Sequence, residues 1–256
     1  KQPRMADDDS LLDRARRAVS GPTPAERAAE LDDRVDDDPS TVSDDELGAL
    51  IDLLDADDPE AVRHAPHALG SLVDARPGFV APAVPAVFDG LSARPTSEWT
   101  SVTLGEASKS FMRDLSRGSI LLSAAEADPS ALDPILPDLA DRYGNGTLEP
   151  MTTFALAYAV AADPDRVPVD PASVARITAK NLRGAVESAA ESDDEWTDLD
   201  LQPMSTRGYV DLLDGFDDDA LDAEAVADAR DALETAKRLS DDEDVVAAAE
   251  EALSDG

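Results

Sequence analysis

The sequence predicts an all-α chain in which helices follow one another in stacked pairs, about twelve helices in one continuous array. Three observations predict it. Apolar residues recur at three- and four-residue spacing, and no segment alternates convincingly with the two-residue period of a strand. Helix starts are spelled out by Asp-Pro or by Ser/Thr-x-x-Glu, as in Asp58-Pro59, Asp170-Pro171, Thr23-Pro24-Ala25-Glu26 and Ser43-Asp44-Asp45-Glu46. The prolines also repeat. Ala75-Arg76-Pro77 with Pro82 and Pro85 returns as Ala127-Asp128-Pro129 with Pro134 and Pro137, each proline displaced by 52 positions. A third echo, Ala162-Asp163-Pro164, follows 35 positions later, close to the length of a two-helix repeat.

The stretch from Asp58 to Leu91 carries the pattern most clearly. Asp58 supplies an N-cap oxygen, and Pro59 gives up an N–H that would have no partner within the helix. Ala61, Val62, Ala65, Ala68, Leu69, Leu72 and Val73 then fall on one face. Pro66 removes a mid-helix hydrogen bond and predicts a kink, and Pro77 ends the helix. Phe79, Val80, Val84, Val87, Phe88 and Leu91 form the next stripe. From Asp58 to Leu72 the run DPEAVRHAPHALGSL resembles the second helix of a HEAT or HEAT-like (phycobilisome-lyase-type) repeat, without a gap. It departs at Val62, where such repeats commonly carry arginine, and at Pro66. The resemblance implies a right-handed α-solenoid, a superhelix of HEAT-like helix pairs with a concave wall of second helices. Proteins similar to this act mostly as adaptors or scaffolds. Some attach or isomerise bilins, and others are alkylpurine DNA glycosylases.

In chain order, Lys1-Gln2-Pro3-Arg4 reads as a cloning remnant ahead of Met5, and residues 5–42 as an N-terminal helical cap. Within that cap, Leu11 to Val19 predicts a short helix, Gly21-Pro22 breaks it, and the Thr23 capping box opens a thinly apolar helix to about Val35. Residues 43–190 form the repeat array. Leu47, Leu50, Ile51, Leu53 and Leu54 give its first helix a strong inner face. The enlarged unit at 92–117 feeds a long helix through Ile120 to Leu122, or two helices with a break near Ser116 to Gly118. Ala131 to Tyr143 is the next first helix, closed by the turn Gly144-Asn145-Gly146. Glu149 to Ala162 is apolar nearly all round and therefore central. Residues 191–256 supply an acidic loop and C-terminal helices, the last opened by Ser240-Asp241-Asp242-Glu243 with a polar outer face suited to an end cap.

Charge narrows the function classes. Acidic residues number 57 against 22 basic, a net charge of −35, and only four of the basic residues are lysine. Such a chain repels itself in dilute buffer. It becomes tolerable when salt shortens the Debye length to roughly 3 Å near 1 M. We read the acidity as that of a halophilic source, a solvated background more than a functional patch. It argues against nucleic acid and against an anionic membrane, since no basic footprint is there to release counterions. There is no cysteine for a disulfide or thiolate site, no apolar run near the ~20 residues of a membrane span, and no signal-like opening. A cytoplasmic location is expected.

Against this background the candidate binding residues are basic or aromatic. His64 and His67 are three apart on one helix beside Arg63. A metal there would need further ligands that the local sequence does not supply, so no metal and no cofactor is expected, and the pair reads as a solvent-side helix face. Lys109, Arg113 and Arg117 share one helical stripe, and Arg176, Lys180 and Arg183 another. Either they neutralise carboxylates of neighbouring helices or they face an acidic partner. Trp99 and Trp196 are core filler or anchors. Nothing spells a nucleotide loop, a nucleophile elbow or a catalytic cysteine. The expected function is thus a non-catalytic adaptor or scaffold. It would bind a protein partner with an acidic contact surface through Arg63, His64, His67, Trp99, Lys109, Arg113 and Arg117. The alternatives are a lyase-type or nucleic-acid-processing enzyme and a structural subunit of a larger assembly.

Overall fold

The computed structural model describes residues 21–95, 98, 109–191 and 204–255, and every regular element among them is helical. No helix of these is long and apolar enough to cross a membrane. The chain divides into two compact units, residues 1–71 and 72–256.

In the first unit, α1 (Pro24–Asp37) opens on the capping box, with Glu26 N–H donating to Thr23 Oγ1 and Thr23 N–H to Glu26 Oε2. Ala28, Leu31, Val35 and, less expectedly, Asp32 are its buried residues. α2 (Asp44–Leu53) starts on the second capping box, Ser43 with Glu46, and buries Leu47, Ala49, Leu50 and Leu53. Arg34 in the last turn of α1 reaches Glu46 in the first turn of α2 and ties the end of one helix to the start of the next. α3 (Pro59–Ala75) runs through Pro66 without ending, and Ala61, Ala65, Ala68 and Leu69 are fully buried.

In the second unit the proline echo becomes a structural one. Pro77–Val80 is a single helical turn, Ala81–Ala83 a 3-10 turn, and α4 (Val84–Asp89) follows. The matching stretch is a 3-10 segment, Pro129–Ile135, leading into α6 (Leu136–Gly144). The expected single helix from Ala131 to Tyr143 is therefore split. Pro134 and Pro137 withhold two N–H donors from the α ladder, and the chain tightens to the 3-10 pattern ahead of them. α6 ends in a Schellman motif. Gly146 takes φ 63°, its N–H reaches Tyr143 C=O, and Thr147 N–H reaches Arg142 C=O.

Between these echoes lies α5 (Lys109–Ala127), unbroken across Ser116 to Gly118. α7 (Pro150–Ala162) is central as its composition predicts, with Phe154, Ala155, Leu156, Ala157, Ala159 and Val160 buried. Then come α8 (Pro171–Glu191), α9 (Thr206–Asp214), α10 (Ala223–Leu239) and α11 (Glu243–Asp255). The expected Ser240 capping box does not form. Asp242 accepts from Asp244 N–H and starts α11 itself, because its short carboxylate reaches the backbone two residues on. α5 packs on α7, α7 on α8, α8 on α9 and α10, and α10 on α11. The predicted helix at Leu11 to Val19, Trp99 and the Trp196 loop lie outside the described residues.

Candidate functional site

The histidines converge on one carboxylate. Asp32 on α1 is only 8% exposed, and its two oxygens are shared out: Oδ2 lies 2.6 Å from His64 Nδ1 and Oδ1 2.7 Å from His67 Nδ1. The three-residue spacing on α3 places both rings on the same face, where one acidic side chain can reach both. These are the only histidines in the chain. Arg63 Nη2 lies 3.1 Å from His64 Nε2, which makes that nitrogen the acceptor and assigns the His64 proton to Nδ1, donated to Asp32. Arg63 also pairs with Glu60 at 2.8 Å and stays largely exposed.

One turn beyond Asp32, Asp36 brings a further carboxylate, and the ligand-type atoms of Asp32, Asp36 and His67 all lie within 4.8 Å of one another. The hydrogen bond to Asp32, then its charge, holds the His67 pKa above its ordinary value near 6.5. A raised imidazole pKa favours folding most below pH 6.5, and that contribution is lost as pH rises through the folded value. The histidines thus belong to a carboxylate-centred cluster, and His64 is the more covered of the two.

The basic stripe on α5 resolves differently from its expectation. Lys109 opens the helix. Arg113 is half-buried, and Arg117 is 2% exposed, inside the unit, which takes it away from any surface a partner could touch. Gly90 makes room for it, since a Cβ there would stand 2.3 Å from the Arg117 guanidinium carbon. Asp114 beside it is buried too and accepts from Ser92 N–H at 3.0 Å and Arg94 Nε–H at 3.2 Å. Two members of the second stripe pair internally: Arg176 meets Asp222 at 2.9 Å and Arg183 meets Asp231 at 2.7 Å, both across the α8–α10 contact, while Lys180 between them is exposed.

Glu149, whose role local sequence did not reveal, caps α7 from within. Its carboxylate accepts from Met151 N–H, Thr152 N–H and the Thr152 hydroxyl at 2.8 to 3.0 Å while 2% exposed. Burial pushes its pKa up to about 7, the three hydrogen bonds oppose that, and the Asp114 carboxylate adds to it. The folded state therefore holds this proton more tightly than the unfolded chain does. Stability from this group is greatest below about pH 4.5 and falls as pH climbs through 7. Relative to a Glu149→Gln variant, which keeps one acceptor and cannot ionise, the wild type is expected to lose about 3 kcal/mol between pH 5 and pH 8. Urea denaturation of both chains across that range measures it; parallel curves would rule it out.

No family model, curated protein or solved structure matches this chain.

Proposed function

We propose that the chain is a non-catalytic adaptor or scaffold of a halophilic cytoplasm, a right-handed solenoid of HEAT-like helix pairs that binds a protein partner. The observation that carries this reading is the packing order: elements of the second unit touch neighbours close to them in the chain, α5 with α7, α7 with α8, α10 with α11. Stacked repeats bury their apolar stripes in that way. The proline-broken pair formed by residues 77–89 and 129–144 adds to it. The polar groups gathered within the second unit support it too. Asp114, Arg117 and Glu149 are buried among helices, with Asp114 accepting from Ser92 and Arg94 in the segment after α4 and Glu149 capping its own helix.

The contact surface starts from Arg63 and His67 on α3, both exposed cations or near-cations on a strongly acidic chain. Arginine at such a position engages an acidic partner through a fork of donors. With the full chain as bait at molar KCl in a lysate of a halophile, the main retained protein is expected to fall at least tenfold when Arg63→Glu replaces the wild type. A tenfold loss corresponds to about 1.4 kcal/mol of binding. Equal retention by the two baits would remove this surface from the account, and the same variant should leave helicity unchanged.

A further inference from the structure

We infer that Asp32, Asp36 and His67 form a binding site for one divalent first-row transition-metal ion, with His64 holding Asp32 in position. The local sequence offered two histidines three apart and no more. The fold supplies the rest, because α1 carries two carboxylates four apart and sets them against the α3 histidines.

The donor set decides the ion class. One imidazole nitrogen and two carboxylate oxygens suit Zn²⁺, Co²⁺, Ni²⁺ or Mn²⁺, whereas Mg²⁺ and Ca²⁺ take oxygen almost alone. Metal–ligand bonds of ~2.0–2.1 Å place tetrahedral donor atoms roughly 3.3 Å apart. The His67 Nδ1 to Asp32 Oδ1 separation of 2.7 Å then has to open by about 0.6 Å, a small rotation for a ring as exposed as His67. Asp36 is exposed and closes in from the next turn of the same helix as Asp32. Three protein donors at a partly open face leave the remaining coordination to water.

Two features distinguish this cluster from the acidic surface elsewhere. Asp32 is buried, so its charge requires compensation that surface carboxylates obtain from solvent. Its second oxygen is already held by the His64 Nδ1–H, itself fixed by Arg63 at Nε2. A ligand carboxylate oriented by a hydrogen-bonding neighbour is the arrangement that sharpens a metal site. Binding uses the Nδ1 lone pair of His67, so the proton that Nδ1 shares with Asp32 has to leave that nitrogen.

The test uses the fact that the chain has two histidines and hence two imidazole Cε1–H resonances. The full chain is titrated with Zn²⁺ at pH 7.5 in molar KCl, which screens diffuse cation accumulation around the −35 charge. The expected result is a His67 resonance that moves and saturates at one equivalent. Asp36→Asn, an exposed and isosteric change, should weaken binding at least tenfold with helicity intact, and Asp32→Asn should abolish it. The inference is overturned if neither resonance moves at tenfold excess Zn²⁺, if the shift fails to saturate, or if Asp36→Asn binds as the wild type does.

Discussion

Transfer from molar KCl to dilute buffer is expected to unfold most of this chain. Two like charges 10 Å apart in water repel by roughly 0.4 kcal/mol without salt. With 35 uncompensated negative charges, such terms sum to the order of tens of kcal/mol when the Debye length is about 30 Å. A domain's whole stability is about 5–15 kcal/mol. At 1 M salt the Debye length of roughly 3 Å removes nearly all of that repulsion. The far-ultraviolet circular dichroism of the helices should therefore collapse as KCl is dialysed away and return when it is restored. An unchanged spectrum in dilute buffer would mean that the internal ion pairs suffice, and the halophilic reading would fail with it.

The second large effect is expected at Gly118. A Cβ at that position would stand 2.0 Å from Glu149 Oε2 and 2.6 Å from its Cδ. A flexible carboxylate on a surface would swing aside. This one is buried and takes three hydrogen bonds at the start of α7, so clearing the methyl means giving up the cap. Gly118→Ala should destabilise the fold by about 2–5 kcal/mol, the sum of overpacking and cap loss. The cause can be isolated. In a Glu149→Ala background the obstruction is gone, and Gly118→Ala should become neutral or stabilising by about 1 kcal/mol, as alanine usually is in a helix. Chemical denaturation of the four chains completes the cycle. An equal penalty in both backgrounds would show that backbone strain, and not the carboxylate, sets the cost.

The local features of this fold were legible in the sequence because their causes are local. The Thr23–Glu26 and Ser43–Glu46 boxes and the Pro59 and Pro171 starts all depend on residues within one turn. The spacing of the prolines showed that two stretches are alike. It did not show that both are broken, since choosing 3-10 over α depends on what the neighbours require. The stripe from Lys109 to Arg117 was identifiable as a stripe, but periodicity does not say which stripe faces the core. The missing clue was a space left by a glycine 27 positions earlier, Gly90, into which the Arg117 guanidinium fits. The Asp32 cluster was hidden for a similar reason. Its members are 32 and 35 positions apart, and in a chain with 57 acids nothing marks Asp32 as the buried one.

The proposed role turns on whether the α3 surface meets another protein. Helix pairs leave their second helices exposed along one side, and arginine flanked by aromatic or imidazole groups makes an effective contact there. Arg63 and His67 are exposed on α3 in the first unit, whereas Arg117 is buried in the second.

The most direct measurement is photo-cross-linking in lysate at molar KCl, with a benzoylphenylalanine introduced at position 63 and, as a control, at exposed position 251 on α11. A binding surface on α3 predicts one dominant protein adduct from position 63 that is absent from position 251. No adduct from position 63, or the same adducts from both positions, would contradict it.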